Sequence, residues 1–406
     1  MDTLWQDMKY AARTLRRRPS FTLIAVLTLA VGIGGNTAIF TLVHSVLLRP
    51  LAYPESGRLV YMGQQFQGGG HSQATTMFKA IFWQRHAEAF EGMTAETGAG
   101  YNLTGGSLPE RVTGSLVSHD FFRVLGVQPV LGRGFTAEED SPGGPSVVIL
   151  TDGVWKRLFG ADPGVLGRTV RLNERPYEVI GVLPPGFAPD RSAEIFVPLR
   201  LSERTFDPGT NYAVTARLKP GVTLEQARAD AKRVFEMFRT EHPGRIDRFE
   251  VGISIHPLQD LVVGEARTPL LVLFGAVGLV LLIACANVAN LLLARAASRT
   301  REIAVRVAMG AGRGRILRQL ICESLAMAVT GGVAGLLLAV WMRDALLAVV
   351  PAGLPRVREI TLDANVLFFA LGLSVVTGVV FGLVSMLQVG RVDLSQSLKE
   401  GGERSA

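Results

Sequence analysis

The sequence predicts an α+β membrane protein with four transmembrane helices in a 1+3 order and a mixed α/β extracytoplasmic domain inserted between helices 1 and 2. Three observations carry this. An uncharged apolar run lies near the N-terminus at residues 21–48. Three more apolar runs lie late in the chain, at 268–294, 319–342 and 364–390, the second carrying one acid, Glu323, near its start. Between them, residues 49–267 hold short alternating stretches rich in β-branched residues, the pattern of strands with one solvated face. Composition agrees: of 406 residues 48% are hydrophobic and 19% charged. The mean hydropathy is +0.29, high for a water-soluble chain of this length.

Residues 1–20 place Leu4, Trp5, Met8, Ala12 and Leu15 at helical spacing ahead of Arg16, Arg17 and Arg18, which reads as a cytoplasmic amphipathic helix lying in the membrane interface. Helix 1, "FTLIAVLTLAVGIGGNTAIFTLVHSVLL" at 21–48, exceeds the roughly 20 residues needed to cross about 30 Å of hydrocarbon. It is also too long for a signal-peptide core and lacks an A-x-A cleavage site, so it reads as an anchor.

In the outer domain, "RLVYMG" (58–63), "SVVILT" (146–151), "TVRL" (169–172), "YEVIGVL" (177–183), "YAVTARL" (212–218) and "VGISIHP" (251–257) read as strands. Residues 75–90 and 223–242 read as amphipathic helices, the second with Thr223 as N-cap and Gln226 completing a capping box. "SPGGP" (141–145), "LPPGF" (183–187) and "LKPGV" (218–222) are turns.

The membrane domain at 268–390 holds two G-x-x-x-G pairs, Gly331/Gly335 and Gly378/Gly382, which permit close helix contact within one chain. Asn36, Asn287, Asn290 and Glu323 are polar groups in apolar surroundings.

Arginine and lysine in short flanks set the orientation. Lys9, Arg13, Arg16, Arg17 and Arg18 precede helix 1; Arg295, Arg299, Arg301, Arg306, Arg313, Arg315 and Arg318 follow helix 2. Both groups belong on the cytoplasmic side. With four crossings the tail at 391–406 is cytoplasmic too, and residues 49–267 face outward. The formal charge of +7 is thereby explained by topology, and nucleic acid is not an expected partner.

No catalytic constellation can be assembled. The two cysteines, Cys285 and Cys322, sit in apolar runs, and the six histidines (His44, His71, His86, His119, His242, His256) show no metal-ligand spacing, so neither metal nor cofactor is expected. Asp120, Glu138, Glu139 and Asp140 read as carboxylates of a solvated loop. Ser118 beside His119 is no evidence that a nucleophile meets a base. All six lysines lack a preceding glycine, so these residues contain no G-x-x-x-x-G-K-[ST] phosphate loop. The chain is not expected to be an enzyme.

The cytoplasmic loop 295–318 carries the most specific pattern. In "SRTREIAVRVAMGAGRGRIL", Glu302 and Arg306 form an i,i+4 pair in the favourable order, and Ile303 and Val307 share a face. A short helix over 299–309 is expected, ended by Gly310, Gly312 and Gly314, with the next helix starting near Arg315. Such a helix suits docking onto a partner, and Arg299, Glu302, Ile303, Arg306, Met309, Gly310 and Ala311 are the candidate coupling residues.

These residues carry a resemblance. "MKYAARTLRRRPSFTLIAVLTLAVGIGGNTAIF", "VSHDFFRVLGVQPVLGRGFTAEED", "RTREIAVRVAMGAGRGRILRQLICES" and "DLSQSLKEGG" together resemble the MacB/FtsX-type ABC transporter permeases, with a MacB-like periplasmic core domain and an FtsX-like membrane domain. They are most similar to one unit of the duplicated orphan permeases of acidobacterial type. The resemblance implies an inner-membrane permease subunit that transmits the motion of a separate ABC ATPase to a periplasmic domain, for efflux or export of a hydrophobic, peptide or lipid-like substrate. It also implies a homodimer or a second permease copy, and the single unit reads as either a one-unit relative or half of a longer parent. The alternative is a non-transporting scaffold or sensor whose periplasmic domain regulates a protein partner.

Overall fold

A computed structural model describes residues 13, 19–104, 109–187, 193–200, 209, 211–308, 313–349 and 363–389; the side chains of 265, 293–313, 315–317, 342–349 and 384–389 are outside that description. The chain divides into two compact units, one of Pro50–Gly264 and one of Met1–Arg49 with Glu265–Ala406.

The outer unit is built on one mixed sheet. In chain order its elements are β1 (Leu59–Phe66), β2 (Ala74–Thr75), β3 (Phe90–Thr104), β4 (Glu110–Val117), β5 (Leu131–Gly132), β6 (Val147–Leu150), β7 (Thr169–Leu172), β8 (Arg175–Val182), β9 (Ile195–Pro198), β10 (Tyr212–Leu218) and β11 (Glu250–Pro257). The path runs β11-β1-β10-β3-β4-β9-β6-β8-β5, with β2 on β10 and β7 bridging β3 and β8. Most pairs are antiparallel; β4 with β9 and β6 with β8 are parallel.

Period-two alternation decides which face each strand residue serves. On β1, Val60 and Met62 face one apolar cluster, and Leu59 and Tyr61 the opposite one. The first cluster is closed by Met77–His86 and Leu224–Glu241, whose Trp83, Phe235 and Phe238 are buried. The second is aromatic, with Phe121, Phe122, Phe135 and Phe196 buried together. Phe122 meets Phe196 edge-on at 5.4 Å between ring centroids. Each buried ring contributes about 1.5–3 kcal/mol of transfer free energy. A third cluster lies under Asp152–Phe159, where β6 contributes Val148 and Leu150.

Several sequence expectations are adjusted here. The helix expected over 75–90 spans only Met77–His86, because Phe90 opens β3. The 15-residue β3 and its partner β4 carry Gly92, Gly98, Gly100 and Gly114, which dilute a strand signal. The long second helix has its capping box: the Thr223 hydroxyl accepts from the Gln226 N–H at 3.2 Å and the Gln226 side chain accepts from the Thr223 N–H at 2.8 Å. Gly143, Gly186 and Gly221 take positive φ in the three expected turns.

Among the described residues the membrane unit has four helices long and apolar enough to span: Pro19–Leu48, Ala266–Leu292, Arg318–Trp341 and Ala364–Leu383. They lie within α1 (Pro19–Val43, continued by a π turn His44–Leu48), α6 (Leu258–Ala308), α7 (Arg313–Val349) and α8 (Ala364–Val389), numbering Met77–His86, Phe121–Leu125, Asp152–Phe159 and Leu224–Glu241 as α2 to α5. Helix α1 is apolar all round, as a spanning helix must be. Its Gly34 lies against Gly335 of α7, where an added Cβ would come within 2.7 Å of a backbone oxygen. Gly331 packs on Leu29, and Gly378 and Gly382 pack α8 onto Leu325 and Ile321 of α7. Both G-x-x-x-G pairs therefore serve contacts inside this unit.

Candidate functional site

The segment 295–308 differs from its sequence reading. Residues 299–308 are the end of α6, a single 51-residue helix starting at Leu258, and do not form a separate short helix. The physical reason lies in 291–298, "LLLARAAS", strong helix formers without glycine or proline, so nothing stops the helix where the hydrocarbon ends. Arg299, Glu302, Ile303 and Arg306 lie on this helical backbone. Met309, Gly310 and Ala311 lie outside the described residues, and α7 begins at Arg313, two residues before the expected start.

At its other end α6 follows β11 without a linker, Pro257 closing the strand and Leu258 opening the helix. Leu258, Leu261 and Val262, at i, i+3 and i+4, pack into the aromatic cluster of the outer unit.

Two contacts hold α1 against its neighbours in the membrane unit. Asn36, 4% exposed, donates its amide to the Gly32 carbonyl of its own helix and to the Val277 carbonyl of α6, each at 2.9 Å. At the outer end His44 Nδ1 lies 3.4 Å from Asp363 and its Nε2 3.2 Å from the Asn365 amide, while Phe40 stacks on Phe369 at 3.9 Å between centroids. Of the other polar membrane residues, Glu323 is buried and accepts from Gln319 one turn earlier at 3.3 Å, and Asn287 and Asn290 face outward.

The carboxylates at 120–140 are not a solvated loop, apart from exposed Glu138. Glu139 is buried and takes a two-pronged pair from Arg133, at 2.6 and 3.0 Å, plus the Thr136 N–H at 2.8 Å. Burial works against its ionisation, but Arg133 and Thr136 outweigh it and hold the carboxyl below the ordinary value. Asp140 accepts from the backbone N–H groups of His119 and Arg200 at 2.9 and 2.7 Å. The sequence could not show this, because the donors lie 21 and 60 residues away.

His119 is raised above its ordinary value, chiefly by its hydrogen bond to Asp140 against the opposing effect of burial, with Asp120 adding attraction. Ser118 points elsewhere: its hydroxyl lies 2.7 Å from the Thr94 hydroxyl and accepts from the Ala95 N–H at 2.9 Å. Adjacent in sequence, Ser118 and His119 have different partners and form no nucleophile and base pair.

Two groupings had no signal in the sequence. Lys79 of α2 and Glu250 of β11 form a fully buried ion pair, with Gln64 of β1 donating to the same carboxylate at 3.2 Å. His71 and His256, far apart in the chain, have ring centroids 4.8 Å apart beside Tyr61. Among the described residues no three His, Cys, Asp or Glu side chains converge as a metal site.

Comparisons with known proteins agree with this architecture. Residues 22–234 match the model of the MacB-like periplasmic core domain, and residues 274–394 that of the FtsX-like permease C-terminal domain. The chain is 31% identical over 273 residues to the pyoverdine export ATP-binding/permease protein PvdT of Pseudomonas syringae pv. tomato, covering 65% of this chain and 39% of that protein. It is 27% identical over 281 residues to the macrolide export ATP-binding/permease protein MacB of Burkholderia thailandensis, covering 68% and 41%. The chain thus spans about two fifths of the length of these relatives. The periplasmic region of MacB from Actinobacillus actinomycetemcomitans is similar at 20% identity with a TM-score of 0.39, over 52% of this chain and 94% of that one. With more than half of its residues matching one domain model and a second model covering most of the three late helices, the chain is an integral membrane protein that belongs to the family with a MacB-like periplasmic core domain.

Proposed function

We propose that this chain is the permease part of an ABC-type exporter of the bacterial inner membrane, with the core domain at 50–264 facing the periplasm and the chain termini in the cytoplasm. ATP hydrolysis is supplied by an ATPase outside these 406 residues. That ATPase docks on the segment carrying Arg299, Glu302, Ile303, Arg306, Met309, Gly310 and Ala311. The cargo class is a hydrophobic, peptide or lipid-like molecule, moved by a homodimer or by this unit paired with a second permease copy.

The observation that carries the reading is the continuity of α6. One unbroken helix joins the proposed docking segment to β11, and its outer turns are embedded in an aromatic core. The helical backbone runs on from Leu258 to Ala308 with Pro269 inside it, and this continuity of chain supports a coupling role for the segment. Four membrane helices are few to enclose a path, which favours two units. The relatives PvdT and MacB are themselves described as export ATP-binding/permease proteins, which supports the pairing with an ATPase.

The test is co-purification with a candidate ABC ATPase, comparing the native chain with a Glu302→Arg/Gly310→Pro variant. Loss of complex and of ATPase stimulation is expected. Undiminished binding and stimulation in the variant would overturn the docking role.

A further inference from the structure

The loop between β1 and β2 lies back over β1 as a strap. Phe66 N–H donates to the Gly70 carbonyl at 2.8 Å and Ser72 N–H to the Gln64 carbonyl at 2.9 Å. The strap crosses β1 at Gly63, where any Cβ would collide with the Ser72 carbonyl oxygen. Underneath, the buried Ser254 hydroxyl of β11 has no hydrogen-bond partner, so the closed strap covers an unsatisfied polar group.

What fastens the strap is aromatic and titratable. His71 Nε2 lies 3.3 Å from the Tyr61 hydroxyl, the His71 and His256 rings are 4.8 Å apart, and Tyr61 stacks on His256 at 5.3 Å. His71 and Tyr61 face one another and His256; His256 is also within electrostatic reach of Arg228 on α5 and Asp260 in the first turn of α6. Two imidazoles at this separation cannot both carry a proton without strong repulsion, and Arg228 adds to it. His256 is held below its ordinary value by burial first, then by His71 and Arg228, against the weaker pull of Asp260.

We propose that His71 and His256 are an acid-released lock on the strap 67–72, which opens when both imidazoles are protonated and exposes Gly63 and Ser254 beside the root of α6. In the closed strap the two imidazole rings lie tilted against one another at 4.8 Å. As pH falls, the second proton converts a packing contact into a repulsion, and the outward-facing, exposed His71 is the ring that leaves. The lock is a property of the outer unit itself; its use as an acid sensor rests on the reading that residues 50–264 face the periplasm, whose pH follows the medium.

The experiment is hydrogen–deuterium exchange on the full chain in lipid nanodiscs, at about pH 7.5 and about pH 5.5, corrected for intrinsic exchange rates. Amides of Phe66, Ser72 and Ala74 are expected to exchange at least about tenfold faster at the lower pH, while those of α5 do not change. A His71→Gln/His256→Gln variant is expected to lose the pH response while keeping the α5 protection. Equal corrected exchange at both pH values in the native chain, or the same acceleration in the double variant, would overturn the lock. Neither outcome depends on transport, so a failed export reading would not be mistaken for a failed lock.

Discussion

The side-chain amide of Asn36 on α1 donates to the backbone carbonyl of Val277 on α6 at 2.9 Å, across 241 residues of sequence. Around it Gly32 and Gly35 present no side chain of their own, and Leu281 and Ala284 lie against Gly32 and Val277 against Gly35. Asn36→Leu removes the donor and adds bulk where the amide sat. In a membrane such a bond is worth about 0.6–2 kcal/mol. The expected outcome is a loss of that size in reversible unfolding of the full chain in bicelles; an unchanged midpoint would remove the bond from the account of this packing.

The glycines of the membrane unit divide into two kinds. A Cβ on Gly335 would lie 2.8 Å from the Ala30 carbonyl oxygen and 2.9 Å from the Gly34 nitrogen, both backbone atoms that cannot rotate away. On Gly275 it would meet nothing within 4 Å. Gly335→Ala is therefore expected to cost about 1–3 kcal/mol by separating α1 from α7, and Gly275→Ala to be neutral or slightly stabilising. The two variants are compared by thermal denaturation in the same detergent, and equal losses would contradict this division.

The Lys79–Glu250 pair sits in the cluster closed by α2 and α5, with both side chains at most 3% exposed. Removing one partner leaves a bare charge in an apolar interior. Lys79→Met is expected to cost about 3–5 kcal/mol, and Lys79→Met/Glu250→Met much less, because an apolar pair carries no uncompensated charge. Chemical denaturation followed by the fluorescence of Trp83, buried in the same cluster, checks both; a double variant as unstable as the single one would show that the pair itself stabilises the fold.

The contrast among these residues shows what the sequence could disclose. Helix 1, the three late helices and strands such as 169–172 and 212–218 follow from local hydropathy and alternation, and the structure places them there. Asn36 was visible as a polar residue in an apolar run, but its acceptor is a backbone carbonyl, which no side-chain pattern marks. Strand β4 escaped because Gly114 gives up its own side chain to make room for the Tyr101 ring. Residues 299–308 were legible as a helix; their fusion to helix 2 was hidden because charge density, which marks where the membrane ends, does not mark where a helix ends. Glu139 and Asp140 misled because a run of acids resembles a solvated loop until Arg133, His119 and Arg200 arrive from elsewhere.

The His119–Asp140 contact gives a pH dependence with a definite sign. His119 is raised in the folded chain, so folding favours its protonated form. Its contribution is fully present below the unfolded value near 6.5 and is lost as pH rises through the higher folded value. His256, lowered by burial and by His71, works in the opposite direction: its neutral form is favoured, and stability falls as acid protonates it in the unfolded chain. The two must be separated to be measured. In a His71→Gln/His256→Gln background, replacing His119 with Gln is expected to lower the Tm most below about pH 6 and progressively less toward pH of about 8. A difference that grows with rising pH would mean that Asp140 does not hold His119 in its charged form.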